Sequence, residues 1–122
     1  MNKDILKAII NYTYYGDVKT RDLKPIYDGA QSFYKKAVVK TFTSDFIRYD
    51  LLYSYNTLVC VSVLKDCKSY YFLNHDVLER YLYSQTTLRH IKEFLHQYNL
   101  DFYQAESITK KDIINNESED LK

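Results

Sequence analysis

One segment of the chain, residues 58–64, reads Leu58-Val59-Cys60-Val61-Ser62-Val63-Leu64 and is apolar at nearly every position. Strands whose two sides are both apolar lie inside sheets that are covered on both faces. We therefore predict a buried central strand here. The segments before and after it indicate what kind of sheet surrounds this strand.

Those segments are rich in β-branched and aromatic residues, and short polar connections join them. The four predicted strands are residues 32–43, 46–55, 58–64 and 68–73. This arrangement is typical of an antiparallel meander. The segment Lys65-Asp66-Cys67-Lys68 is expected to form a hairpin turn, although it lacks the favoured Asn-Gly or Asp-Gly pair. A short fifth strand is predicted at Tyr81-Leu82-Tyr83.

The clearest helical pattern lies at residues 86–98, where four apolar side chains recur at helical spacing: Leu88, Ile91, Leu95 and Tyr98. This predicts an amphipathic helix that packs across the sheet. Ser84 or Thr86 is expected to cap its first turn, and Asn99 to end it. Four polar residues are predicted to face outward: Arg89, Lys92, Glu93 and His96.

Two shorter helices are predicted near the ends of the sequence. Residues 4–11 place four apolar side chains on one face: Ile5, Leu6, Ile9 and Ile10. Thr109-Lys110-Lys111-Asp112 resembles a capping box before residues 112–115. Residues 12–30 are predicted to be a long loop with a helical turn near Leu23. The fold class is therefore α+β, with one domain at residues 1–115 and an acidic tail, residues 116–122, that frays.

The composition limits the function classes. The 122 residues carry a net charge of +1, which argues against a highly basic nucleic-acid coat and an acidic DNA mimic. Hydrophobic side chains make up 46% of the residues, which is enough for a core. Residues 1–40 hold eight basic residues against four acidic ones, and residues 41–122 hold nine against twelve. The basic residues of the first part are Lys19, Arg21, Lys24, Lys35, Lys36 and Lys40, together with Lys3 and Lys7. Lys35 and Lys36, near Phe33 and Tyr34, are candidates for contacts with a phosphate backbone, or they are solvated residues of an edge strand.

Tyrosine is abundant, with 14 residues. Residue types with AT-rich codons (Phe, Tyr, Met, Ile, Asn and Lys) number 50, and those with GC-rich codons (Gly, Ala, Arg and Pro) number 11, so part of this abundance reflects a low-GC genome. The remaining signal is positional, in two Tyr-x-Tyr pairs: Tyr53 with Tyr55, and Tyr81 with Tyr83. Each pair is expected to point both rings to one face of a strand. The rings would then form a platform for bases or a protein hot spot, or they would cover the core beneath the helix.

Polar residues cluster at the start of the main predicted helix: Ser84, Thr86, Thr87, Arg89 and His90. Hydroxyls, free amides and an arginine in a first helical turn suit a phosphate or carboxylate. The alternative is that the hydroxyls only cap the helix. His90 is a candidate for acid–base chemistry or for a buried structural hydrogen bond.

Several functions are not expected. In a reducing cytoplasm, Cys60 and Cys67 are expected to be free thiols rather than a disulfide. They lack zinc-ligand spacing and no second Cys or His pair completes a site, so we predict no metal. We find no nucleophile with a base, no carboxylate pair and no phosphate loop, and we predict neither catalysis nor a cofactor. The apolar run at residues 5–10 is too short for a signal peptide or a membrane span, which predicts a cytoplasmic protein.

Two segments carry a family resemblance: Leu52-Tyr53-Ser54-Tyr55-Asn56-Thr57-Leu58-Val59 and Tyr83-Ser84-Gln85-Thr86-Thr87-Leu88-Arg89-His90-Ile91-Lys92-Glu93-Phe94-Leu95. They resemble a small domain of unknown function found in phage and mobile-element proteins of low-GC Gram-positive bacteria. The resemblance covers roughly residues 32–98. It implies a mobile-element origin and supplies no mechanism and no catalytic residues.

From this origin and the small size, we expect a protein that binds another host or phage protein stoichiometrically. An inhibitor of a bacterial defence system, of the anti-CRISPR type, is the most concrete form. The alternative is a nucleic-acid-binding module that uses the basic first third and a tyrosine-rich sheet face. A homodimer is compatible with either function.

Overall fold

The computed structural model describes residues 3–78 and 84–121. It has a five-stranded antiparallel sheet with helices on both faces, which confirms the predicted α+β class. The strands are β1 (Lys19–Asp22), β2 (Ala37–Ser44), β3 (Ile47–Ser54), β4 (Thr57–Lys65) and β5 (Lys68–Leu73). The helices are α1 (Lys3–Tyr15), α2 (His75–Leu78), α3 (Gln85–Tyr98) and α4 (Lys110–Asn115).

The strands pair in chain order as a meander, β1-β2-β3-β4-β5. The four predicted strands correspond to β2 to β5. The prediction of a loop at residues 12–30 is wrong in three respects. Helix α1 continues to Tyr15, residues 19–22 form β1, and the residues around Leu23 form no helical turn. All four β1 residues are exposed, so no apolar pattern marks this strand. The predicted strand at residues 81–83 lies outside the described residues.

Two-residue turns join β2 to β3, β3 to β4 and β4 to β5. Both residues of each turn have a positive φ, at Asp45-Phe46, Tyr55-Asn56 and Asp66-Cys67. This is the type I′ geometry, whose twist matches that of the flanking strands. Tyr34 and Lys35 also have positive φ values, of 53° and 63°, so the beginning of the strand predicted at residues 32–43 is instead a turn.

The two faces of the sheet carry separate apolar clusters. Ile5 and Ile9 of α1 pack on one face, and Ile91 and Leu95 of α3 pack on the other. Strand β4 contributes to both clusters. Val61 and Val63 lie in the cluster with α1, here called the α1 cluster, and Cys60 lies in the cluster with α3, the α3 cluster. The prediction of a strand buried on both sides is confirmed for β4.

Helix α3 begins and ends as predicted. Ser84 is the N-cap, and its hydroxyl accepts the Thr87 N–H, while Asn99 is the C-cap. The prediction that Glu93 and His96 face outward is wrong, since they are only 2% and 7% exposed. Two loop segments fold over this side of α3. The backbone N–H groups of residues 26–28 donate to Glu93, and His96 Nε2 bonds to the Ala105 carbonyl.

The last part of the chain packs against β5. The capping box of Thr109 and Asp112 is present and starts α4. Tyr71 of β5 donates its hydroxyl to the Ile113 carbonyl at 2.6 Å. Residues 116–122 were expected to fray, whereas Glu117 and Ser118 bond to the outer edge of β5.

No helix among the described residues is long and apolar enough to cross a membrane. Cys60 is buried and Cys67 is exposed, and both are free thiols as predicted.

Candidate functional site

The two segments that carry the family resemblance meet in space. Ser54, at the end of β3, bonds through its hydroxyl to two side chains of α3: Thr87 Oγ1 at 3.1 Å and His90 Nδ1 at 2.8 Å. Ser54 is 3% exposed and His90 is 1% exposed. A satisfied buried polar group of this kind fixes how the β3–β4 hairpin and the helix pack together.

The surroundings of His90 keep its imidazole neutral. Phe33 contacts the ring edge-on at a centroid distance of 4.7 Å, and Tyr55 lies 5.9 Å away. Burial, with a smaller contribution from the positive charge of Arg89, lowers the pKa of His90 from 6.5 to about 4. This environment favours a buried structural hydrogen bond, rather than acid–base chemistry, as the role of His90.

Arg89, the predicted anion ligand, already has a carboxylate partner. Its Nε donates to Asp28 Oδ2 at 3.0 Å and its second terminal nitrogen contacts Oδ1. This hydrogen bond is the main cause of a lowered pKa of the Asp28 carboxyl. Since the Ser84 hydroxyl accepts the Thr87 N–H and Arg89 is paired with Asp28, the contacts favour capping over an anion site.

The rings of Tyr53 and Tyr55 do not form one platform. Tyr53 packs with the α1 cluster, and Lys40 Nζ lies 4.7 Å from its ring centroid. Tyr55 lies in the turn after β3, on the side of His90, with Lys36 Nζ at 5.5 Å. The shared-face prediction is wrong for this pair because the strand ends at Ser54 and Tyr55 takes a φ of 51°. The other pair, Tyr81 and Tyr83, lies outside the described residues.

The basic residues of the first third occupy separate places. Lys40 lies on the α1 face and Lys36 lies beside Tyr55, while Lys35 is exposed in a turn. Arg21 is on the edge strand, where its Nε donates to the Tyr98 hydroxyl at 2.6 Å. These positions divide the basic stretch among different surfaces.

A cleft of about 340 Å³ opens beside the hydrogen-bonded cluster of Ser54, Thr87 and His90. Its size falls in the range of binding pockets. The described residues that line it are Ser54, Tyr55, Thr57, Val59, Val77, Leu78, Ser84 and Thr87. Five of these carry a hydroxyl, three are aliphatic, and none has a charged side chain. The described part of the lining is therefore neutral, with apolar and hydroxyl-bearing walls, and we call this site the neutral cleft.

Several site residues were missed by the sequence analysis. Ser54 had a signal, because it is a small polar residue on the same strand face as the buried Leu52 and lies within a motif segment. Asp28 had none, since it lies in an irregular loop 61 residues from Arg89. Thr57 and Val77 had no signal either, because only the folded structure brings them beside Ser84 in the cleft.

The fold and the site together define a small α+β domain whose motif residues join a β-hairpin to the start of a helix. The chain belongs to a family of unknown function, DUF8033, whose model matches residues 21–116. The match includes both motif segments and most of the sheet. Comparison with curated proteins finds no match, and comparison with solved structures finds none.

Proposed function

We propose that this domain is a non-enzymatic binding module that captures a side chain or short segment of a partner protein in the neutral cleft. The observation that carries this proposal is the lining of the cleft. Val59, Val77 and Leu78 provide an apolar surface, and the hydroxyls of Thr57 and Ser84 provide adaptable hydrogen bonds. Binding pockets typically combine mostly apolar walls with a few placed polar groups such as these hydroxyls.

The same lining makes nucleic acid the weaker candidate at this site. Phosphate recognition depends on lysine and arginine, which supply most of the affinity. Arg89 is paired with Asp28, and the described lining of the cleft holds no cation. A neutral group therefore fits this cleft better than a nucleotide does.

Tyr55 is the residue best placed to anchor a partner. It lines the cleft, it is 48% exposed, and its ring lies against His90 and Lys36. Tyrosines that present a rigid ring at the rim of a pocket are frequent hot spots in protein interfaces. Tyr55 should therefore contribute more binding energy than its neighbours.

The most specific form of the proposal is an inhibitor of a bacterial defence system, of the anti-CRISPR type, that acts in the host cytoplasm. Its support is the motif resemblance and the codon bias of the sequence. The neutral cleft is compatible with stoichiometric binding of a protein partner. A plasmid-interference assay in cells with an active CRISPR system tests it. If the wild-type protein does not inhibit interference, the anti-CRISPR form is contradicted, whereas the general binding proposal is not.

The general proposal is tested by site-specific photo-crosslinking. A benzoyl-phenylalanine at position 55 should capture one protein from host lysate, whereas the same group at position 46, in the distant β2–β3 turn, should not. The captured protein is then purified, and its affinity for the wild type, Tyr55→Ala and Phe46→Ala is measured. A loss of about tenfold or more is expected for Tyr55→Ala only.

Equal affinities for the three proteins would refute the role of the cleft. Capture of nucleic acid alone, with binding that weakens steeply as salt is raised, would favour the nucleic-acid alternative.

A further inference from the structure

The two outer edges of the sheet differ in how they are covered. At the β5 edge, the Tyr71 N–H donates to Ser118 Oγ at 3.1 Å and the Leu73 N–H donates to Glu117 Oε2 at 2.7 Å. The Ser118 N–H returns a bond to the Tyr71 carbonyl at 3.1 Å. The chain therefore covers this edge with its own C-terminal segment.

The β1 edge presents its backbone to solvent. Leu23 N–H donates to the Ala37 carbonyl at 2.9 Å, which makes Leu23 and Ala37 a hydrogen-bonded pair. In an antiparallel ladder such pairs alternate, so Arg21 and Lys19 also bond inward, and the N–H and C=O groups of Thr20 and Asp22 point outward. All four residues are exposed, and no described residue bonds to these outward groups.

The α3 face of this edge is positively charged. Lys19 and Arg21 pair with Thr41 and Val39, so their side chains lie on the face that α3 covers. The Arg21 guanidinium carbon lies 5.0 Å from the Tyr98 ring centroid, and the bond from its Nε to the Tyr98 hydroxyl holds it there. A groove of about 550 Å³ continues from this edge; its lining also includes Asp17 and Arg48, and Arg48 is paired with Asp50.

A second copy of this chain does not fit the edge. Two antiparallel β1 strands can pair only in registers that match outward-pointing residues with each other, namely Thr20 with Thr20, Thr20 with Asp22, or Asp22 with Asp22. These registers place Lys19 opposite Arg21, Arg21 opposite Arg21, or Asp22 opposite Asp22, respectively. Like charges directly opposite each other destabilise a sheet.

We infer that β1 accepts an extended acidic segment of a partner protein as a sixth, antiparallel strand. The two acidic residues of this segment lie two positions apart, opposite Arg21 and Lys19. A basic residue lies opposite Asp22, so the partner sequence reads basic-acidic-any-acidic in chain order. Main-chain bonds to Thr20 and Asp22 supply the affinity, and the charges supply the register.

This site is separate from the neutral cleft and does not depend on it. A single nucleic-acid strand could also approach Lys19 and Arg21, but it would use only their charges. An added strand engages the backbone of Thr20 and Asp22 as well, and this difference makes the inference testable.

The test measures the binding of a labelled acetylated peptide, Thr-Val-Lys-Glu-Thr-Glu-Val-Thr, by fluorescence anisotropy. The matched control peptide has lysine in place of both glutamates. Thr20→Pro removes one outward N–H without touching the bonds to β2, and Thr20→Ala is its matched control. The double variant Lys19→Glu, Arg21→Glu reverses the charge of the edge.

We expect the acidic peptide to bind the wild type and Thr20→Ala alike, with a loss of about tenfold or more in Thr20→Pro and in the charge-reversed variant. Amide hydrogen exchange at Thr20 and Asp22 should slow on binding, and Tyr55→Ala should bind the peptide normally. Absence of binding, equal binding by Thr20→Pro, or preference for a single-stranded oligonucleotide would each overturn the inference. Circular dichroism and thermal unfolding confirm that each variant is folded.

Discussion

Glu93 Oε1 accepts the backbone N–H of Asp28 at 2.7 Å, so a carboxylate of α3 holds the same residue whose side chain pairs with Arg89. The N–H groups of Ile26 and Tyr27 donate to the same oxygen at 3.0 and 2.9 Å. Gln97 Nε2 bonds to Glu93 Oε2 at 2.7 Å. One buried carboxylate thus orders the loop that follows β1.

Replacing Glu93 should destabilise the protein and release this loop. Glu93→Ala leaves three amides without their acceptor, and we expect a loss of about 3 kcal/mol in the free energy of unfolding. Glu93→Gln keeps one acceptor oxygen and should lose roughly half as much. Urea unfolding gives these values, and Glu106→Ala, at an exposed carboxylate, is the control. Equal effects of Glu93→Ala and Glu106→Ala would contradict the role of Glu93.

The stability should fall in acid partly because of His90. The folded protein holds the imidazole neutral with a pKa of about 4, whereas the unfolded chain takes up the proton near pH 6.5. Stability is therefore lost as the pH falls from about 6.5 to about 4, with no further loss from this group below that range. The stability advantage of the wild type over His90→Gln should shrink by roughly 2–3 kcal/mol between pH 7 and pH 4. A difference that stays constant with pH would show that His90 does not titrate this way.

The β2–β3 turn should tolerate, and even favour, glycine. Phe46 is fully exposed and has a φ of 64°, a conformation that costs a residue with a Cβ about 1 kcal/mol. Phe46→Gly should therefore be more stable than Phe46→Ala by about 1 kcal/mol in thermal or urea unfolding. Both variants lose the ring, so only backbone strain separates them. An alanine variant as stable as the glycine variant would rule out this strain.

The two glycines should respond oppositely to alanine. A Cβ at Gly16 would lie 2.5 Å from Cδ1 of Tyr12, whose ring stacks on Phe42 at 4.9 Å, whereas a Cβ at Gly29 meets nothing within 4 Å. Gly16→Ala should cost about 1–2 kcal/mol, because the stacked ring must move. Gly29→Ala should be neutral or stabilising by up to about 1 kcal/mol. Similar unfolding free energies for the two variants would contradict the close contact at Tyr12.

The elements that the sequence predicted are those whose signal is local. The apolar run at residues 58–64 and the capping residues Ser84 and Thr109 act through neighbours in the chain, and the structure confirms them. Strand β1 could not be found this way, because its exposed residues are extended only through pairing with β2. Helical periodicity likewise assigned Glu93 to solvent, since it contains no information about a loop that returns over the helix.

Only part of the candidate site could be predicted from the sequence, for the same reason. The motif residues of α3 were selected from the sequence, but their partner Ser54 lies 36 residues before His90. The cleft is lined by residues from or next to β3, β4, α2 and the start of α3, and no local sequence pattern predicts that these elements lie side by side.

The cover over β5 has a consequence for the order of events during synthesis. Ser118 follows Tyr71 by 47 residues and Glu117 follows Leu73 by 44, so β5 leaves the ribosome well before the residues that protect its edge. At typical translation rates of 5–20 residues per second, this interval lasts about 2–9 s. During that interval the nascent chain exposes β5 as an open strand, and crowded polysomes give neighbouring chains the opportunity to pair with it.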